Sequence, residues 1–270
     1  MNVDDLSVPG LGVTFADGVL RIALGRPERR NALDDAMVAG LIAVLTRAAT
    51  ETVRVIVLTG EGEHFCGGFD IVARNAPSDA PRPRVGSVQR RLPVQAHRLV
   101  PLVMATQAPV VCSVRGWAVG IGLQLVLAAD FAVVATDAHL WEPFAKRGFT
   151  PDSGATWLLP RRIGEVRARR MLLLGEPASG AEAFEWGMVD RAVAPAGLDE
   201  ATEELVAALA AGPTVALGLT KSLLYASQSA GLDRALAGEA AALELSSRAE
   251  DFREGMAALV EKRPPRFTGR

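Results

Sequence analysis

Two short apolar segments, each followed by closely spaced glycines, constrain most strongly how this chain can fold. Residues 55–58 lead to paired glycines at 67–68, and residues 110–114 lead to a segment with three glycines, 115–122. Runs of β-branched residues predict buried strands, and glycine lets the main chain turn sharply and approach a ligand closely. Each glycine segment alone is more typical of a simple turn than of a ligand site. Two turns that aimed main-chain N–H groups at one point would form an oxyanion hole.

The composition disfavours several other classes of protein. The 29 Lys and Arg side chains balance 31 Asp and Glu, so charge favours neither nucleic acid nor an acidic membrane as a partner. Two cysteines and three scattered histidines predict no disulfide framework and no metal site. No apolar run is long enough to span a membrane, and the acidic N-terminal stretch does not resemble a secretory signal. We therefore expect a soluble cytoplasmic protein.

The order of the predicted elements favours an α/β fold. Two alternating runs joined at Asp17 and Gly18 predict a β-hairpin, and apolar residues three and four positions apart predict a helix within residues 31–49. The other predicted strands are 53–58, 110–114 and 131–135, and the helices are 95–106 and 123–129. Strands that alternate with helices are typical of parallel sheets with crossover connections.

Beyond residue 201 the sequence predicts helices only, over residues 203–211, 213–230 and 232–262. Late helices of this kind often pack on a neighbouring chain, which favours an oligomer. Residues 75–93 are rich in proline and arginine and predict a mobile surface loop.

Five motifs in order give the chain a resemblance to the crotonase superfamily of enoyl-CoA hydratases and isomerases. They are residues 25–34, the two glycine segments, residues 151–161 and the C-terminal segments 251–255 and 261–270. The resemblance implies a crotonase-like spiral of repeated ββα units, with an acyl-CoA-binding core over residues 1–200. It also implies a C-terminal helical trimerisation region, residues 201–270, and hence a homotrimer or homohexamer. The implied substrate is an acyl-CoA thioester, and no separate cofactor is expected.

By the same resemblance, the main-chain N–H groups of Phe69 and Ile121 are the oxyanion-hole donors. The family often has glycine at the second position. A β-branched residue there would be strained at positive φ, and its side chain would narrow the acyl pocket.

The resemblance also implies a set of substrate-binding residues. Arg30 carries a guanidinium group suited to phosphate, although without the resemblance a solvated basic turn is the more usual explanation. The residues implied for the CoA and acyl groups are Arg30, Ala32, Gly68, Asp70, Ile71, Trp117, Gly120, Gln124, Trp141 and Phe144.

The carboxylates predict which reaction the site performs. Family hydratases carry two glutamates at positions that Gln124 and Phe144 occupy here, and neither side chain exchanges a proton at neutral pH. Asp152 remains, in a stretch (residues 144–161) that resembles the 1,2-epoxyphenylacetyl-CoA isomerases. A single aspartate can remove a proton next to a thioester and return it elsewhere, which is isomerisation.

Burial among Trp141, Phe144 and Phe149 would raise the pKa of Asp152 toward a useful range. The alternative is that Asp152 caps the helix that follows it. Glu142 is interpreted as part of a surface turn, although it lies close enough in sequence to reach the pocket. Cys66 is interpreted as a packing residue.

Three hypotheses about function follow. The first is an acyl-CoA isomerase that uses Asp152 as acid and base. The second is a homologue that binds acyl-CoA without catalysis. The third is a hydratase that works by a non-standard route through Asp152 or Glu142.

Overall fold

A six-stranded sheet and a smaller three-stranded sheet organise the computed structural model, which describes residues 8–49, 52–74 and 84–270. In chain order the strands of these residues are β1 (Leu11–Ala16), β2 (Val19–Leu24), β3 (Val55–Gly60), β4 (Val110–Val114), β5 (Trp117–Val119), β6 (Phe131–Ala135), β7 (His139–Trp141), β8 (Ala178–Ser179) and β9 (Arg191–Val193). The α-helices are α1 (Asp35–Ala48), α2 (Ile71–Arg74), α3 (Ser87–Arg91), α4 (Leu99–Ala105), α5 (Ile121–Ala128), α6 (Ala155–Arg169), α7 (Gly180–Glu185), α8 (Leu198–Ala210), α9 (Thr214–Ser227), α10 (Leu232–Ser246) and α11 (Glu250–Glu261).

The larger sheet has the order β1-β2-β3-β4-β6-β9, and the smaller sheet has the order β5-β7-β8. The β1–β2 hairpin is antiparallel, and every later pairing in the larger sheet is parallel. Strand β4 joins the larger sheet and the next strand, β5, joins the smaller one. Strands β6 and β7 divide in the same way. Because helices then return the chain to the larger sheet, the predicted spiral of strand–strand–helix units is confirmed.

Several elements follow directly from the sequence pattern. The hairpin turns at Asp17 and Gly18, which both have positive φ, as a turn between tightly twisted strands requires. Helix α1 begins after Asp34, whose carboxylate accepts a hydrogen bond from the Met37 N–H at 2.8 Å. The central strands β3 and β4 are buried on both faces, which explains why they are continuous apolar runs.

Other elements differ from their predicted limits. The helix predicted over 232–262 is wrong as a single element, because the chain breaks between α10 and α11, where Ala249 adopts an extended conformation. The predicted surface loop is wrong over its last part, where residues 87–91 form α3; residues 75–83 lie outside the described residues. The boundary at residues 200 and 201 falls within α8, which packs on the sheet through Val206, and the two-region division stays a prediction.

A buried ion pair connects α9 to the core. The Lys221 ammonium donates to Asp130 Oδ2 at 2.6 Å and to the Val103 carbonyl at 2.9 Å. Asp130 Oδ2 also accepts a hydrogen bond from the Val110 N–H at 2.7 Å, at the start of β4. The Tyr225 hydroxyl donates to the Ala128 carbonyl at 3.0 Å. These contacts fix the C-terminal helices on the strand that leads to the second glycine segment.

Among the described residues, no single helix is both long and apolar enough to cross a membrane. By length and composition alone, the segments Pro195–Ala210 and Thr214–Ser227, bent by 104°, meet that criterion together.

Replacement of Lys221 by methionine is expected to destabilise the fold by about 3–5 kcal/mol, because the largely buried Asp130 carboxylate loses the cation that is hydrogen-bonded to it. Urea unfolding followed by tryptophan fluorescence measures the change. The control is Arg248→Met, which removes an exposed pair with Glu244 and is expected to cost about 0.5 kcal/mol or less. Equal losses in the two variants would contradict the structural role of Lys221.

Candidate active site

The two glycine segments lie against each other and form a short parallel bridge. The Cys66 N–H donates to the Trp117 carbonyl at 2.8 Å, and the Val119 N–H donates to the Cys66 carbonyl at 2.9 Å. A Cβ at Gly122 would lie 2.6 Å from the Cβ of Cys66, so only glycine allows this approach. Burial raises the pKa of the Cys66 thiol to about 12, which agrees with a packing role.

Each predicted oxyanion donor follows a glycine with positive φ. Gly68 has φ 97° and precedes Phe69; Gly120 has φ 52° and precedes Ile121. Within the described part of the chain, neither the Phe69 N–H nor the Ile121 N–H has a main-chain acceptor. Ile121 is the first residue of α5, where N–H groups have no partner inside the helix. Both donors are therefore available to a ligand.

The side chain of Ile121 causes no backbone strain. Ile121 has helical dihedral angles, and it is absent from the described residues with positive φ. Gly120 takes the unusual conformation instead. A β-branched residue at 121 is thus compatible with a main-chain donor, and its side chain is buried.

Asn31 holds the turn at residues 26–32 against the first glycine segment, and sequence reasoning did not identify it. Its side-chain amide donates to the carbonyls of Glu61 at 2.9 Å and His64 at 2.6 Å. Its carbonyl oxygen accepts from the Arg26 N–H at 2.9 Å. Arg30 and Asn31 both have positive φ, which asparagine tolerates better than most residues.

Arg30 lies at a small cavity of about 120 Å³ beside the glycine segments. The cavity is lined by Arg30, Gly67, Trp117, Val119, Trp141 and Arg147. The indole rings of Trp117 and Trp141 lie 5.7 Å apart, and the Trp141 N–H donates to the Gly175 carbonyl at 2.8 Å. Two guanidinium groups and two indoles suit a phosphate next to an aromatic base. Arg30 itself is exposed, so a solvated turn remains compatible with its position.

Asp70, Ala32 and Ile71 lie beside the first donor. Asp70 accepts from the Arg26 guanidinium at 3.0 Å and from the Ala73 N–H at 3.0 Å, so it supports the turn and caps α2. The hydrogen bond from Ala73 lowers the pKa of Asp70, and Arg26 adds to the effect. The Ala32 carbonyl accepts from Arg26 at 3.0 Å, and Ile71 is the first residue of α2.

Glu142 is buried, and the interpretation that it belongs to a surface turn is wrong. It is 0% exposed, as is Gln124, whose side-chain nitrogen donates to the two Glu142 carboxyl oxygens at 3.0 and 3.2 Å. Burial raises the pKa of Glu142 well above its ordinary value. The Gln124 hydrogen bond opposes this shift, and the charge of Asp152 reinforces it. A second carboxyl group therefore accompanies Asp152.

Asp152 does not cap a helix through its side chain. Gly154 occupies the cap position of α6, and no side-chain hydrogen bond caps that end. Burial raises the pKa of Asp152, as predicted, while a hydrogen bond from the side chain of Ser153 and the charge of His97 oppose the shift. Ser153 has φ 51°, and its N–H donates to His97 Nε2 at 3.4 Å. Within the part of the chain that the structure describes, no main-chain donor holds this carboxylate.

The aromatic residues predicted around Asp152 divide between two places. Phe144 and Phe149 pack edge to face, 5.4 Å apart, and a Cβ at Gly120 would lie 3.8 Å from the Phe144 ring. Trp141 instead lies beside Trp117. His97, which sequence reasoning dismissed as scattered, acts on Asp152 together with Ser153. Because His97 is far from Asp152 along the chain, the sequence gave no sign of this interaction.

An apolar cavity of about 580 Å³ adjoins the Asp152 loop. It is lined by His97, Val100, Pro101, Met104, Ala105, Ser153, Gly154, Trp157, Leu158, Ser222 and Tyr225. Its walls come from α4, α6 and α9, so it can receive an apolar group of considerable size. Within the described residues no cluster of three or more His, Cys, Asp or Glu side chains could hold a metal ion.

Comparison with known proteins gives consistent matches over nearly the whole chain. The family model for enoyl-CoA hydratase/isomerase matches residues 14–270. The 1,2-epoxyphenylacetyl-CoA isomerase of Escherichia coli is 39% identical over 255 residues, which cover 94% of this chain and 96% of that protein. The 2,3-dehydroadipyl-CoA hydratase of the same organism is 33% identical and covers 93% of this chain and 96% of that one.

A solved structure shares the architecture. The enoyl-CoA hydratase from Bacillus anthracis superposes with a TM-score of 0.88 at 30% identity, and the match covers 97% of this chain and all of that one. The two relatives from the sequence comparison carry different names, one an isomerase and the other a hydratase.

Replacement of Gly120 by alanine is expected to destabilise the protein by about 1–3 kcal/mol. The main chain there has φ 52° and ψ −123°, a conformation that other residues rarely adopt. A Cβ would meet nothing closer than 3.8 Å, so the loss measures backbone strain alone. The control is Gly255→Ala, inside α11, where the new Cβ would meet nothing closer than 3.5 Å, and it is expected to cause no loss. Unfolding free energies in urea compare the two, and an equal effect would contradict the strain at Gly120.

Proposed function

The chain belongs to the enoyl-CoA hydratase/isomerase family, and we propose that within this family it is an acyl-CoA isomerase that moves a carbon–carbon double bond by proton transfer. The observation that carries the proposal is that burial raises the pKa of the Asp152 carboxyl group. The same site has two main-chain N–H groups without a main-chain acceptor among the described residues. The same donors serve any reaction that passes through a thioester enolate.

The N–H groups of Phe69 and Ile121 stabilise the enolate oxygen in this proposal. Each follows a turn that its glycine fixes in advance, so little reorganisation is needed when charge develops. Loss of one such donor typically raises the barrier by about 3 kcal/mol.

Asp152 is the base that removes a proton from the acyl chain. Burial raises its pKa above the ordinary aspartate value, the direction that favours a general base, and its side chain is not used to cap α6. Gln124 and Phe144 occupy the positions of the two family glutamates, which disfavours hydration by the usual route. The name of the isomerase that is 39% identical supports this choice.

The remaining parts of the substrate match the two cavities. We assign the CoA moiety to the cavity of Arg30, Trp117 and Trp141, and the acyl group to the apolar cavity beside Asp152. Because proton transfer is redox-neutral, the reaction needs no cofactor other than the CoA carried by the substrate.

Hydratase activity is the second candidate, and the buried Glu142 favours it. Water addition needs one group to activate water and another to protonate carbon, and Glu142 with Asp152 gives the site two carboxyl groups. Hydration of crotonyl-CoA at a rate equal to isomerisation would support this candidate against the first.

The Asp152→Asn variant is expected to lose isomerase activity by about 10²–10⁴-fold, because the amide cannot accept the proton. The assay follows a panel of unsaturated acyl-CoA thioesters, including trans-3-hexenoyl-CoA, by mass spectrometry and absorbance. Wild-type kcat/KM should rise with pH through a pKa above the ordinary aspartate range, since burial favours the protonated form. Calorimetric binding of the acyl-CoA should remain.

The control for this variant is Asp137→Asn, an exposed aspartate outside the site. Full turnover by Asp152→Asn would reject Asp152 as the base. Binding without turnover by the wild type across the whole panel would favour a non-catalytic acyl-CoA-binding protein.

We also propose a homotrimer or homohexamer. No residue of α10 is buried within one chain. Large apolar side chains are exposed on α10 and α11: Leu232, Leu236, Leu243, Leu245, Phe252, Met256, Leu259 and Val260. Light scattering is expected to give a molar mass of three or six chains of 28.5 kDa, and a monomer would reject this proposal.

A further inference from the structure

Glu142 lies next to the turn that carries the second oxyanion donor. The carbonyl of Trp141, the preceding residue, accepts a hydrogen bond from the Gly120 N–H at 2.9 Å. Gln124, which contacts the Glu142 carboxyl group, lies one turn into α5, and its N–H donates to the Gly120 carbonyl at 2.9 Å. Both Trp141, which precedes Glu142, and Gln124, which contacts it, are therefore hydrogen-bonded to Gly120, the residue before the Ile121 donor.

The described surroundings of the Glu142 carboxyl group offer it a hydrogen-bond donor and no acceptor. Among the described residues, the hydrogen-bonding partner of its carboxyl group is the Gln124 amide nitrogen, which only donates. With the Gln124 amide in this orientation, a protonated Glu142 has no acceptor among the described residues for its O–H. The side-chain oxygen of Gln124, also buried, has no partner among these residues, so this polar cluster is incomplete without a bound molecule.

The two carboxyl groups have unequal environments. Glu142 is completely buried, which favours its neutral form. Asp152 is partly exposed and receives both a hydrogen bond from the side chain of Ser153 and the attraction of His97, which favour its ionised form. The charge of Asp152 further disfavours ionisation of Glu142. One proton on the pair therefore belongs on Glu142.

We propose that Glu142 is a second catalytic residue, the acid that delivers a proton to the acyl chain after Asp152 has removed one. This inference rests on the proposed isomerase function. With a 3-enoyl-CoA, the Asp152 carboxylate takes a proton from Cα, and the electron pair moves to the thioester oxygen as a dienolate. Glu142 then gives its proton to Cγ as the double bond forms between Cα and Cβ. Proton transfer from Asp152 to Glu142 restores the starting state, with no net gain or loss.

The Glu142→Gln variant separates the two proton transfers. The amide is nearly isosteric and can still contact Gln124, but it holds no transferable proton. The wild type, Glu142→Gln, Asp152→Asn and the exposed control Glu185→Gln are incubated with trans-3-hexenoyl-CoA in D₂O. Mass spectrometry measures deuterium uptake at Cα, and absorbance measures formation of the conjugated product.

We expect Glu142→Gln to lose product formation by at least 100-fold while deuterium still enters Cα, because Asp152 is intact and partly exposed to solvent. Asp152→Asn should lose both, and Glu185→Gln should lose neither. Undiminished product formation by Glu142→Gln would overturn the proposal in favour of a single carboxylate that acts twice. Loss of both signals in a folded Glu142→Gln protein would also overturn it. If the wild type converts no substrate of the panel, the proposed isomerase function itself is rejected.

Thermal unfolding supplies a readout that does not depend on turnover. A carboxyl group with a raised pKa in the folded state binds more protons there than in the unfolded state, so its burial destabilises the fold as pH rises above its ordinary value. The Tm of Glu142→Gln should therefore increase relative to wild type from pH 5 to pH 8. The groups that act on Glu142 are Gln124 and Asp152, and both remain in the variant. A constant Tm difference would overturn the assignment of the proton to Glu142.

Discussion

The close main-chain contact between Cys66 and the segment 117–119 is the constraint on which the rest of the site depends. Two hydrogen bonds hold the segments together, and the absence of a side chain at Gly122 permits the distance. This contact puts Gly68 next to the Val119 carbonyl, so that the two turns face the same region. Without it, the Phe69 and Ile121 N–H groups would belong to separate loops, and an anion could not use both.

Burial then distributes charge among the polar side chains around that contact. A carboxyl group that is fully enclosed keeps its proton, and one that is partly exposed beside a histidine loses it more easily. Glu142 and Asp152 illustrate the two cases within one site. In the proposed reaction these two groups act as acid and base, while Gln124 and Phe144 stand at the positions that the resemblance assigns to the family glutamates. Chemistry of this kind depends on the environment of a residue as much as on its position in a motif.

The fold was largely predictable from the sequence, because its strands are apolar runs and its first hairpin turns at an Asp-Gly pair. The two donors and Asp152 were predicted from motifs. For Glu142 the sequence left open both a surface turn and a role in the site, since a single glutamate between tryptophan and proline gives no sign that Gln124 will enclose it. Asn31 was missed for a related reason: its partners, Glu61 and His64, are about 30 residues away. Long-range polar contacts have no periodicity that a sequence pattern could reveal.

The Lys221–Asp130 pair has a consequence for how proteins of this architecture can be recombined. Asp130 Oδ2 binds both the Lys221 ammonium and the Val110 N–H, so the start of β4 depends on a cation from a helix more than a hundred residues later. A chimera that joined residues before 212 to the C-terminal helices of a relative would need a lysine at the matching place. If that helix instead supplied an apolar side chain, the isolated carboxylate would weaken β4 just ahead of the second glycine segment. Compatibility between the halves of such hybrids can thus be judged by one pair of residues far from the reacting atoms.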